Sequence, residues 1–291
     1  MFVRARRPLD VVGPRRDGAI VLAANGRLAL LRPHGALTPY APVYRNSVGE
    51  EPYIALAPRG CFGADTVYAI RLGTGKGVIR VGSSGGTRVL ARLTARGLVD
   101  GIAFDRTGAF KGRLLVTVNA GSGSTVDAVD CRGRVTAITT HAPRIEGGIV
   151  VAPRGFGRFA GDLIAPDERG GSIYAITPSG RTVRIGASGL PHGPDIGVES
   201  AGFVPAGVTD ALLADRLTPG NRHPGDDVVL RLRHAALLTA GVHAGDLLVA
   251  SEGGALTDAV RCGAAGCTIR HVASGPVVAH AEGHIAFIAG D

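Results

Sequence analysis

Tryptophan is absent and aromatic residues make up only 4% of the 291 residues. No core of stacked rings is available, so burial must come from Val, Ile, Leu and Ala. Lysine is almost missing as well. The formal charge of +8 is carried by dispersed arginines, among them Arg4, Arg6, Arg7, Arg15, Arg16, Arg92, Arg96, Arg231 and Arg233. Basic runs interleaved with stacking aromatics are not found, so nucleic acid is not an expected partner. No stretch approaches 18 consecutive apolar residues, which excludes a helical membrane span. Met1 to Asp10 is basic but lacks the apolar segment of a secretion signal.

Several catalytic signatures are also missing. There is no Gly-x-Ser-x-Gly elbow, no Gly-x4-Gly-Lys-Ser/Thr phosphate loop and no His-Glu-x-x-His. The Gly/Ser runs Gly82 to Gly86 and Asn119 to Gly123 precede no helix and read as turns. Cysteine is scarce, with four residues. Cys262 and Cys267 are separated by Gly and Ala and can close a small loop as a disulfide, which favours an exported mature form over a cytoplasmic one. Cys61 and Cys131 fall in different repeats and are expected to be unpaired, buried thiols.

Glycine, by contrast, is abundant. Its 45 residues are about twice normal usage, with no collagen period, and imply many tight turns. Apolar residues at 45% and charged residues at 19% exclude disorder and support one domain over residues 1–291. A short phrase recurs: an acid, one or two small residues, an apolar strand, a Gly turn and a second apolar strand. Its copies begin at Glu51, Asp100, Glu146, Glu199 and Glu282, at intervals of 49, 46, 53 and 83 residues. A degenerate copy at His234-Ala-Ala-Leu-Leu, 35 residues after Glu199, divides the last interval.

Six units of about 40 to 50 residues, each supplying four short strands, predict an all-β fold: a six-bladed β-propeller of four-stranded antiparallel blades. The third unit reads as strands at 101–104, 113–118, 125–129 and 134–138. The fourth reads as 149–152, 162–165, 172–176 and 181–185. The terminal strand 283–289 resembles an innermost strand with nothing after it. Residues 19–23, 27–32 and 36–40 resemble later strands lacking a first. A blade shared between the N- and C-termini is therefore expected to close the ring. The rival is five units, with Leu217 to Asp227 as a decorated loop.

In such a ring the innermost strands line the central channel, so Glu51, Asp100, Glu146, Glu199 and Glu282 should converge at one mouth. The loops leaving the second strands add Asn119, Asp167, Glu168, Asp215 and Glu252. Carboxylates crowded at low dielectric repel one another, and a bound cation relieves this. His141, His192 and His280 precede three of the acids, as ligands or general bases. The oxygen-rich set suits Ca²⁺, and the histidines leave a transition metal as second choice. The other reading is that these groups only cap turns. The register is not uniform either, since superposing Ile102 on Ile149 sets Asp100 opposite Gly147.

At this point the chain resembles the gluconolactonase and senescence-marker-protein propellers, with the related strictosidine-synthase and NHL-repeat groups. Gly49-Glu50-Glu51-Pro52 is similar to the opening Gly-Glu-x-Pro of the lactonases, and Val99-Asp100-Gly101-Ile102 to their Pro-Asp-Gly-hydrophobic strand opening. The resemblance implies a divalent metal, often calcium, that polarises a lactone carbonyl, held here by Glu50 or Glu51 and by Asp100. The family's Ser-Asn-Gly ligand motif is replaced by Glu146 and Glu199.

Two function classes follow. One is a metal-dependent hydrolase of a small ester or lactone, with His141 or His192 as general base. The alternative is a non-catalytic propeller binding a protein, glycan or small ligand on one face. Isomerase or lyase chemistry at the same mouth forms a third class.

Overall fold

The structure, a computed structural model, describes residues 1–47, 51–73 and 75–290. Among these, regular structure is almost entirely strand, with one α-helix, His234–Thr239, and one 3-10 turn, Gly157–Phe159.

Four discrete four-stranded sheets form in chain order, each an antiparallel meander. The first holds Pro8–Val12, Ile20–Ala24, Arg27–Leu31 and Leu37–Tyr40. The second holds Ile54–Leu56, Val67–Arg71, Gly77–Val81 and Thr87–Arg92. The third holds Leu98–Phe104, Leu114–Asn119, Ser124–Val129 and Val135–Ala142. The fourth holds Val150–Val151, Leu163–Asp167, Ser172–Ile176 and Thr182–Ala187.

The remaining strands form one eight-stranded sheet. One half runs Val198–Phe203, Leu247–Ser251, Thr257–Cys262, Cys267–Ala273, and the other runs Ala281–Ala289, Thr209–Asp215, Val228–Leu232, Val3–Arg4. A single parallel pairing, Ala201 with His284, joins the halves, whereas every pairing inside them is antiparallel. The chain leaves Val198–Phe203, builds two strands of the other half, passes through the helix and only then returns at Leu247–Ser251.

Burial follows strand position. Second strands such as Val67–Arg71 and Leu114–Asn119 are buried along nearly their whole length, because neighbouring sheets cover both faces. Outer strands such as Thr87–Arg92 and Val135–Ala142 are mostly exposed and carry Thr, Arg and His, which blunts their free edges. Each apolar cluster lies between neighbouring sheets. One packs Tyr68 and Ile70 of the second sheet, with Tyr53 just before its first strand, against Ile102, Leu114 and Val116 of the third. Another packs Val11, Ile20 and Leu22 of the first sheet against Leu212, Ala286 and Ile288, closing the ring.

Four expectations are corrected. Four sheets stand alone, not six, because eight strands are continuous through Ala201 and His284. The termini do share a sheet, but its N-terminal member is Val3–Arg4, paired with Val228–Leu232, while strands 20–24, 27–31 and 37–40 have their own first strand in Pro8–Val12. That strand is short and opens on Pro after two arginines, so it lacked a readable apolar pattern. Residues 234–239 are helical, as Ala-Ala-Leu-Leu permits, and Leu237 buries into the adjoining core. Finally, Cys61 and Cys131 are joined as a disulfide across two adjacent sheets, with Cα atoms 5.9 Å apart. Cys262 pairs with Cys267.

Candidate functional site: a cluster of carboxylates

The recurring acid opens an innermost strand, and the glycine beside it lets the strands crowd at the axis. Gly147 has φ +82°, and a Cβ there would lie 2.3 Å from the Glu199 carbonyl oxygen. Gly283 has φ +70°, and its Cβ would fall 2.5 Å from Asp10 Oδ1. Only glycine tolerates both the dihedral and the approach.

Three acids distant in sequence meet here. Glu51, Glu199 and Glu282 each place a carboxylate oxygen within 4.8 Å of the others, and Glu252, His280 and Glu282 form a second such group. Tyr53, fully buried, points its hydroxyl among them, 2.6 Å from Glu199 Oε1, 3.0 Å from Glu282 Oε2 and 3.4 Å from Glu51 Oε2. A phenol has one proton and serves one carboxylate at a time. Arg216 Nη2 lies 2.6 Å from Glu282 Oε1 and donates to Glu51 Oε1 at 3.0 Å. His280 Nε2 is 2.7 Å from Glu252 Oε1 and 3.2 Å from Glu282 Oε1, although neither approach has hydrogen-bond alignment.

Four carboxylates thus face one guanidinium and one imidazole. Repulsion from Glu282, with burial, pushes Glu51 up to about 8. Burial, then Glu282 and Glu51, drives Glu199 well above the carboxylate range. Burial raises Glu252 to about 7. For His280 burial acts downward, but Glu252 and Glu282 outweigh it and lift the ring to about 10.

Asp100 and Glu146 sit beside this cluster, outside it. Asp100 Oδ1 accepts from the Gly147 amide at 3.0 Å, Asn119 Nδ2 donates to Oδ2 at 3.4 Å, and burial raises the carboxyl to about 6. Glu146 is ion-paired with Arg144, which also reaches Glu168 at 3.6 Å. Glu168 accepts from the Asp195 amide, and burial raises its pKa. Asp167 caps a turn through the Gly170 amide at 3.1 Å. Asp215, fully buried, accepts from the His280 amide at 2.8 Å and so holds the segment carrying that ring.

The two histidines expected as general bases lie elsewhere. His141 is exposed on the outer strand Val135–Ala142, and His192 is exposed against Gly171. The outer position follows from the meander, since the strand before each new acid is the outermost of its sheet. Glu50 lies outside the described residues. Sequence reasoning missed Tyr53, Arg216 and the Asp10–His284 pair, in which His284 Nδ1 is 3.0 Å from Asp10. Tyr53 lies two residues after Glu51 and Arg216 directly follows Asp215, so adjacency to acids already singled out was the available signal.

A divalent cation fits the donor set. Glu282 Oε1 is buried without an aligned hydrogen bond, and Tyr53 is the hydrogen-bond donor to Glu199 Oε1. Glu51, Glu199 and Glu282 offer oxygen alone, as calcium prefers, whereas Glu252, His280 and Glu282 offer the mixed set of a transition metal. Arg216 competes for the same oxygens.

No protein-family model matches the chain. No curated protein matches it either. Solved structures do. A protein of unknown function from Bacteroides thetaiotaomicron superposes with TM-score 0.59 at 13% identity, over 97% of this chain and 64% of that one. This chain therefore spans under two thirds of that protein's length. Virginiamycin B lyase from Staphylococcus aureus follows with TM-score 0.52 at 12% identity, over 91% of this chain and 83% of the lyase. The protein is a β-propeller. A putative gluconolactonase is a looser match to this propeller, with TM-score 0.45 and 16% identity over 67% of each chain. At these identities the likeness concerns the fold.

Proposed function

We propose that this propeller holds a divalent cation on Glu51, Glu199 and Glu282, calcium by preference and a transition metal as second choice, and hydrolyses a small ester or lactone at the same mouth. The supporting observation is the meeting of three carboxylates within 4.8 Å beside a Glu–His pair, with too few cations to neutralise them. A bound cation there supplies Lewis-acid polarisation of a carbonyl and acidifies water. The chain's own groups do the rest. Glu51, whose side chain is 34% exposed, faces the incoming substrate. His280 and Glu252, 2.7 Å apart, form a proton-exchanging pair in place of His141 and His192. Arg216 orients Glu51 and Glu282.

A second reading rests on burial. Glu199, Glu252, His280 and Glu282 are each 4% exposed or less, so the mouth is nearly sealed. A sealed ion is a structural plug, and the propeller then binds its partner on a face. Turnover separates the two readings: calcium-loaded protein is assayed on γ- and δ-lactones and aryl esters. Hydrolysis that falls at least ~100-fold in Glu252→Gln supports the enzyme, and calcium binding without turnover supports the plug.

In this reading the ring has six blades, each half of the eight-stranded sheet counting as one with its own innermost strand. Export is the favoured location, since two disulfides persist in oxidising surroundings. The expected partner is a small molecule.

A further inference from the structure

Along each innermost strand the acid comes first and an apolar stretch follows: Glu199 before Ala201 to Phe203, Glu282 before Ile285 to Phe287, Asp100 before Ile102 to Phe104. The apolar stretches line a half-open cavity of about 210 Å³, further along the same strands than their acids. His284 divides the two. It lines the cavity, lies 3.0 Å from Asp10 and has Nε2 3.2 Å from the Ile149 carbonyl oxygen.

Nothing acidic lines this cavity; its charged side chain is Arg106. That guanidinium donates to the Leu56 carbonyl at 2.9 Å and has no carboxylate within ion-pair distance among the described residues. Arg106 is exposed at the rim of this cavity, so an anion can pair with it there while an apolar tail leaves water for the interior. Size narrows the ligand further. An apolar cavity of about 150 Å³ accommodates benzene, and drug-sized sites begin at about 300 Å³. This one suits a single ring or a chain of roughly six to eight carbons by the same comparison.

We propose that this cavity binds a small amphipathic carboxylate, its anion on Arg106 and its apolar tail among Ile102, Phe104, Val151, Phe203 and Phe287. The site is independent of the metal reading, because it shares no side chain with Glu51, Glu199 or Glu282.

The test is calorimetric titration of the whole chain with octanoate, in chelator so that the acidic cluster holds no metal. Octanol, matched in tail and uncharged, is the control. Saturable octanoate binding is expected, weakened about tenfold or more by Arg106→Gln, as loss of a charge-assisted contact requires. Val151→Phe, which fills the cavity, should abolish it, and Glu199→Gln should leave it unchanged. Equal binding of octanol, or octanoate binding indifferent to Arg106→Gln, overturns the proposal. So does the absence of saturable binding to the wild-type chain, a result that needs no variant to fold.

Discussion

At the scale of single residues, the stability of the mouth depends on Arg216. It is the cation shared by Glu51 and Glu282, and the Glu282 side chain is fully buried. Arg216→Met in metal-free protein leaves that carboxylate only His280 and the Tyr53 hydroxyl and should cost about 3 kcal/mol in urea unfolding. Added calcium should restore part of the loss. The pH dependence follows from the same crowding. Glu51 at about 8, Glu252 at about 7 and His280 at about 10 all lie above their ordinary values. The folded chain therefore holds more protons than the unfolded one, and stability falls as pH rises. For the two carboxyls the decline begins near 4.5 and runs to about 8, and for His280 it continues from 6.5 to about 10. Thermal melts of chelated protein between pH 5 and 9 should show a falling midpoint, and calcium should flatten the slope. A midpoint that rises with pH contradicts the electrostatic picture.

At the scale of elements, the acid–glycine opening both places the carboxylate and lets neighbouring strands touch. Gly147→Ala sets a Cβ 2.3 Å from the Glu199 carbonyl at a positive φ. It should destabilise the fold by more than ~1 kcal/mol in chemical denaturation and weaken calcium binding by moving Glu199. The meanders were legible wherever Gly turns separated apolar runs: Ser172–Ile176 matches the expected strand, and Ser124–Val129 differs by one residue. Legibility failed where local pattern and tertiary pairing part company. Val198–Phe203 is followed in the chain by a strand belonging to the other half of its sheet, an order that no periodicity records. The crossover helix hid in an Ala-Leu run because short apolar segments fit either period. Of the acids, Glu51, Glu199 and Glu282 meet, while Asp100 and Glu146 take backbone and arginine partners, which the shared phrase does not distinguish.

At the scale of the whole molecule, ring closure gathers the site. Glu282 arrives on the last strand, which pairs with Thr209–Asp215 and carries His284 to Asp10 of the first sheet. Glu51 and Glu199 lie 231 and 83 residues earlier, so the cluster exists only in the closed ring. The Cys61–Cys131 disulfide ties two neighbouring sheets across 70 residues and restricts the unfolded chain. The most direct measurement is elemental analysis of protein purified without chelator, paired with calcium titration of the stripped chain and of Glu199→Gln. One divalent ion per wild-type chain, lost in Glu199→Gln, is the expected result. A wild-type chain that carries no ion and binds no calcium, with its fold intact, would contradict the central claim that these three carboxylates are assembled to hold a cation.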